Sequence, residues 1–136
     1  MPDYIGMGES PVLHTYIHSE SEARSAIDMI RDAREFIAND LNMVYNGELF
    51  LTGYSQGGHA CMATHKYIQE NNLQSEFNII ASVPCSGPYA LSITMADSIT
   101  SFNPYSNPGY ITYMLASYQL VYGNIFTGIM VYIYRS

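Results

Sequence analysis

Apolar residues recur at helical spacing in one stretch and as short unbroken runs in two others. That pattern predicts the order of the elements. Residues 2–18 read as an irregular segment, because Asp3-Tyr4-Ile5-Gly6-Met7-Gly8-Glu9-Ser10-Pro11 carries turn chemistry. From Ser19 onward Ala23, Ala26, Ile27, Ile30, Ala33 and Ile37 share one helical face, and Arg24, Asp28, Arg31, Asp32 and Glu35 the other. This predicts an amphipathic surface helix packed on a sheet. Ser19 and Glu22 form a capping-box pattern at its start, and Glu20 adds a second acid to the first turn. Asn46-Gly47 is a turn, and Glu48-Leu49-Phe50-Leu51-Thr52 is an apolar run ending at Gly53, which suits a strand buried on both faces. Residues 57–70 read as a second helix that begins with small side chains (Gly57, Gly58, Ala60, Cys61, Ala63) and ends at Asn71-Asn72. Phe77 to Val83 is a second buried run, closed by Pro84, Gly87 and Pro88. Loop, helix, strand, helix, strand is the order of an α/β layer fold with parallel strands and right-handed crossovers. No internal repeat or low-complexity linker interrupts it.

Composition narrows the function classes. A chain of 136 residues with 48% apolar residues is one domain or a piece of one. Twelve acids against five bases give a net charge of -7, and no basic run exists, which excludes a phosphate-binding surface for nucleic acid. Two cysteines, Cys61 and Cys85, exclude a disulfide-dense scaffold and a four-cysteine zinc site; they read as buried thiols, and a disulfide between them is not legible from sequence. No pair of histidines or carboxylates has metal-ligand spacing with supporting context, so neither a metal nor a cofactor is expected. The start, Met1-Pro2-Asp3, lacks the basic segment and apolar run of a signal peptide. Charge is concentrated in residues 1–86, while the rest holds only Asp97 and Arg135 and eight of the 13 tyrosines.

The chemistry lies in Gly53-Tyr54-Ser55-Gln56-Gly57, which matches G-x-S-x-G. The bare pattern is common, but here it follows a predicted buried strand and precedes a small-residue helix, the setting a nucleophile elbow needs. A turn that sharp leaves no room for flanking side chains, hence Gly53 and Gly57. It lifts the Ser55 hydroxyl above the sheet edge as a candidate nucleophile. The helix N-terminus favours developing negative charge, with the Gln56 backbone N–H as one oxyanion donor. The competing reading is a glycine-rich strand-to-helix turn with an idle serine.

On these residues the sequence resembles the α/β-hydrolases, of the lipase and esterase type with a lid. Leu49 to Ala60 carries the strand, elbow and helix, and Pro2 to Ser10 is similar to the stretch leaving the preceding strand in these enzymes. The resemblance implies a partial α/β-hydrolase fold over residues 1–88, with few parallel strands flanked by helices, and a lid-like apolar segment over 89–136. It implies an acyl-enzyme mechanism on a carboxylic ester, with a small-molecule ester or acyl substrate. The family order is Ser, then Asp or Glu, then His. Here Glu70, Glu76 and Asp97 follow Ser55, with only His59 and His65 behind it and no histidine after Asp97. The expectation is therefore a truncated middle piece, inactive alone. His59 reads as a helix-packing contact and His65 as solvated. His14 and His18 lie in the loop at the sheet edge where such sites form. Compartment is not legible, although many relatives of the resembled type are secreted or periplasmic.

Tyr110 to Tyr134 carries no charge. As lid helices it would line an acyl pocket, since Tyr and Met offer apolar contact with adaptability. As a transmembrane helix it is long enough, but Gln119, Asn124 and scattered tyrosines weaken that reading. Thr127 to Ser136 could instead be an unnatural end, with Ile129 to Tyr134 strand-like. The alternatives to an esterase are a non-catalytic module that pairs with another chain, or with itself, through an open sheet edge, and a membrane-associated protein through 110–134.

Overall fold

In the computed structural model, residues 2–41, 43–101 and 106–127 are described. The elements are α1 (Ser19–Asn39), β1 (Glu48–Tyr54), α2 (Gln56–Glu70), β2 (Asn78–Cys85), a π-helical turn (Leu91–Met95), α3 (Ala96–Thr100) and α4 (Pro108–Tyr122). The expected alternation is present, and it forms a partial α/β-hydrolase-like fold. Strands β1 and β2 are parallel neighbours, from Glu48 opposite Asn78 to Tyr54 opposite Cys85. The register slips between Leu49 and Phe50, which leaves Ile80 as an extra residue in β2. Helix α2 makes the crossover and packs on both strands and on α1. Ile27 and Ile30 of α1, Ile68 of α2 and Phe77 form the core, with Leu49, Leu73 and Ile79 against them. Each such side chain contributes about 1.5–3 kcal/mol when fully buried.

Several expectations change at this level. Both strands alternate along their length, where burial on both faces was expected. Leu49, Leu51 and Gly53 are half-buried, while Phe50 (62%) and Tyr54 (75%) face outward with Ile80 and Val83. Among the described residues only one face of the sheet is covered. Pro84 does not close β2. It pairs with Gly53, and the strand runs on to Cys85, because a proline on the outer strand removes a donor the ladder does not need. Cys85 is exposed and Cys61 buried, and both are free thiols. Desolvation raises the Cys61 thiol above its ordinary pKa. His65 is not solvated: it is half-buried and its Nδ1 bonds Ser82 Oγ at 2.8 Å. The capping box is not formed as written. His18 is the N-cap, accepting from Ser21 N at Nδ1 (3.3 Å), and Glu22 turns inward.

The tail reaches back to the loop before α1. Ser117 Oγ donates to the Tyr16 carbonyl (3.1 Å) and Tyr118 O–H to the Ile17 carbonyl (3.0 Å). Tyr16 stacks on Tyr113 at 5.2 Å between ring centroids, and His18 meets Tyr118 and Tyr122 edge-on. Ile17 itself has φ 57, a left-handed conformation rare for a β-branched residue. Its N–H donates to Glu22 Oε1 at 3.2 Å, so it is held from both sides. No helix among the described residues is long and apolar enough to cross a membrane. The stretch 128–136, with Ile129 to Tyr134 and Arg135, lies outside the described residues.

Candidate active site

Ser55 stands between the last residue of β1 and the first of α2, with φ 55 and ψ -120. Positive φ is costly for a residue with a Cβ. The surroundings enforce it: Ser55 N donates to the Cys85 carbonyl (3.0 Å), and the Ser55 carbonyl accepts the first helical bond from His59 N (3.1 Å). A Cβ at Gly53 would run into the Gly57 carbonyl, so the strand and helix approach this closely only with glycine there. A Cβ at Gly57 meets nothing within 4 Å among the described residues, so the crowding expected at both glycines is present at Gly53 alone. Gly58 carries the second close approach, against the Cys85 carbonyl. The Ser55 side is solvent-exposed, and its hydroxyl has no hydrogen-bond partner among the described residues. The first-turn N–H groups of α2, Gln56 among them, have no acceptor within the helix.

The Gln56 side chain is clamped. Its Nε2 donates to Glu22 Oε1 (2.9 Å) and to His14 Nε2 (2.6 Å). His14 Nδ1–H then donates to the Ile5 carbonyl (2.8 Å), the tautomer following from its partners. A Cβ at Gly6 would strike the backbone at His14, which lets the loop close over this ring. Glu22 is fully buried and accepts three bonds: from Ile17 N, from Gln56 and from His59 Nδ1 at 2.6 Å. A buried carboxylate is tolerated on those terms. Burial raises the Tyr4 hydroxyl pKa, with Glu22 adding to the shift. Burial lowers the His18 imidazole, which His59 reinforces and Glu20 and Glu22 oppose.

None of the four histidines is hydrogen-bonded to Ser55. His14 serves Gln56, His18 caps α1, His59 bonds Glu22 and Ser19, and His65 bonds Ser82. Glu70 pairs with Lys66 (3.5 Å) and Glu76 with Arg31 (2.7 Å), both away from the site. Ser55 and Gln56 open on a cavity of about 550 Å³. Tyr16, Tyr54 and Tyr110 line part of it, and Leu91, Met95, Ile99, Ile111 and Met114 form an apolar wall from the tail. Among the described residues no group of three His, Cys, Asp or Glu is placed to hold a metal ion.

Solved structures share this fold. The rice cell wall degrading esterase LipA from Xanthomonas oryzae superposes with a TM-score of 0.81 at 41% identity over 92% of this chain. The chain has the α/β-hydrolase-type fold of these structures over the part it spans. A ligand-bound form of LipA gives 0.82 at 41% identity. A proposed hydrolase from Legionella pneumophila gives 0.78 at 31% identity over 91% of the chain. In every case the chain spans about a third (33%) of the matched structure's length. No family model and no curated protein matches it.

Sequence reasoning missed the inward role of Glu22 and the partner of His14, and it set the 110–134 run at an acyl pocket without singling out Ile111 and Met114. Glu22 was concealed by its local explanation as a capping acid. A signal existed: it precedes Ala26 and Ile30 at steps of four residues, so it stands on the apolar stripe. The partnership of His14 with Gln56 has no sequence signal, because it joins a loop to a helix through the fold.

Proposed function

We propose that this chain carries the nucleophile half of a serine ester hydrolase. Ser55 attacks an ester carbonyl, and the oxyanion that forms is met by the Gln56 backbone N–H at the α2 N-terminus. The leaving alcohol departs, and water releases the acid from Ser55. The observation that carries this reading is the forced backbone of Ser55, exposed on a cavity at a strand-to-helix junction. Residues 89–136 act as the lid-like segment, and their apolar wall suits a greasy acyl group beside the serine. A small carboxylic ester is therefore the expected substrate class. The base and its orienting acid come from parts of the fold outside this chain.

A fluorophosphonate probe tests the reading in two steps. The isolated chain should label Ser55 slowly and incompletely, because an unassisted serine is a poor nucleophile; fast stoichiometric labelling would show a base within the chain. In a chain extended to the full length of the fold, labelling should be rapid and p-nitrophenyl butyrate should be hydrolysed. Ser55→Ala should lower kcat by about 10⁴-fold or more there, and an unchanged rate rejects the nucleophile.

A second reading has its own observation. The outward sheet face exposes Phe50, Tyr54, Ile80 and Val83, and an open strand edge invites pairing. A non-catalytic module that self-associates would appear as a dimer or larger species in light scattering, and a monomer at high concentration excludes it.

A further inference from the structure

Outside the Ser55 cavity a second hydroxyl–imidazole–carboxylate line runs between α1 and α2. His59 Nδ1–H donates to Glu22 Oε2 at 2.6 Å, and this fixes the tautomer. The Nε2 lone pair is then left facing Ser19 Oγ at 3.3 Å. Glu22 is fully buried and held by two further donors, so it cannot swing away from the ring. His59 is 7% exposed, while Ser19 is exposed at the first residue of α1. The line opens on a cavity of about 480 Å³, distinct in its lining from the one at Ser55. Arg24 and Lys66 on its wall are each paired with an acid one turn away, Glu20 at 3.0 Å and Glu70 at 3.5 Å. The charges on the wall cancel, which suits a neutral electrophile.

We propose that Ser19 is a second activated hydroxyl, which accepts an acyl group from a small neutral activated ester with His59 as its base and Glu22 as the positioning residue. Ser19 Oγ bonds to the carbonyl carbon as its proton passes to His59 Nε2. The adduct collapses, the carbon–oxygen bond to the leaving group breaks, and the imidazolium gives its proton to the departing oxygen. The products are an O-acyl Ser19 and an alcohol or phenol. The arrangement has the order of a serine triad, with none of its three side chains hydrogen-bonded to the Ser55 hydroxyl.

The test uses the Ser55→Ala chain, so that only the second site reports. With p-nitrophenyl acetate it should release a burst of p-nitrophenolate and carry one acetyl group, mapped to Ser19 by mass spectrometry and removed by hydroxylamine as an ester. Adding Ser19→Ala, a change at an exposed side chain, should abolish the burst. His59→Ala should slow it about tenfold or more, with free imidazole restoring part of the rate. Glu22→Gln should slow the burst about tenfold at an unchanged half-saturating ester concentration, since the carboxylate that holds the imidazole is gone. A burst as fast as that of the parent, or a slowing that comes only from weaker ester binding, overturns the role of Glu22. Acetyl on Lys66 or the amino terminus alone, or a burst that survives Ser19→Ala, overturns the site. Should the Glu22 or His59 variants fail to fold, the mapped position of the acetyl group and the Ser19→Ala result decide.

Discussion

Gly53 and Gly57 flank the same serine under different constraints. Gly53→Ala forces its methyl into the Gly57 carbonyl and should cost about 2 kcal/mol or more in urea unfolding. Gly57→Ala meets open space inside a helix and should gain about 0.5–1 kcal/mol through helix propensity. Equal losses would contradict this geometry. Ser55→Gly should relieve the positive φ and stabilise the chain by about 1 kcal/mol, again by urea unfolding. Ser55 and Gly53 were legible in sequence because the turn they make is local: a strand, a bend and a helix within a few residues. Glu22 was not, because the same Ser-x-x-Glu spelling describes an exposed cap and a buried hub. Only packing against α2 distinguishes the two. Its removal strands donors on Ile17, Gln56 and His59. Glu22→Ala should therefore cost about 3 kcal/mol, several times what a lost surface cap would.

Helix α1 begins on a histidine that works only when neutral. His18 Nδ1 accepts from Ser21 N, and burial holds its pKa below the ordinary value. The unfolded chain thus binds the proton more readily than the folded one. Stability from this group is complete above about pH 6.5 and is lost as pH falls from there through the lowered value. Thermal melts at descending pH should show that loss, and His18→Asn, which keeps a capping acceptor, should flatten the curve over the window. A curve unchanged by His18→Asn would place the titration elsewhere. At this scale the order of elements was legible, since helical spacing in α1 and short apolar runs at β1 and β2 differ in period. The end of β2 was not. Pro84 reads as a stop, and the tolerance of an outer strand for a missing donor is a property of the sheet.

At the scale of the molecule, the described residues leave one sheet face bare. Phe50 and Ile80, 62% and 50% exposed, belong to runs that read in sequence as buried on both sides. Apolar runs record what a strand is built to touch, and this chain spans about a third (33%) of the matched structure. The isolated chain should therefore bind a hydrophobic dye, and Phe50→Lys with Val83→Lys should reduce the signal several-fold. Unchanged dye fluorescence would mean that the exposed surface lies elsewhere. The tail, by contrast, is attached, and one of its attachments is to a contorted residue. Ile17 gives its amide hydrogen to the interior acid and its oxygen to a tyrosine of α4. Neither grip can slacken without the backbone at Ile17 relaxing toward commoner angles, so α4 and the sealed acid should loosen as one event. A fluorophore on α4 would then sense what happens to a carboxylate it never touches.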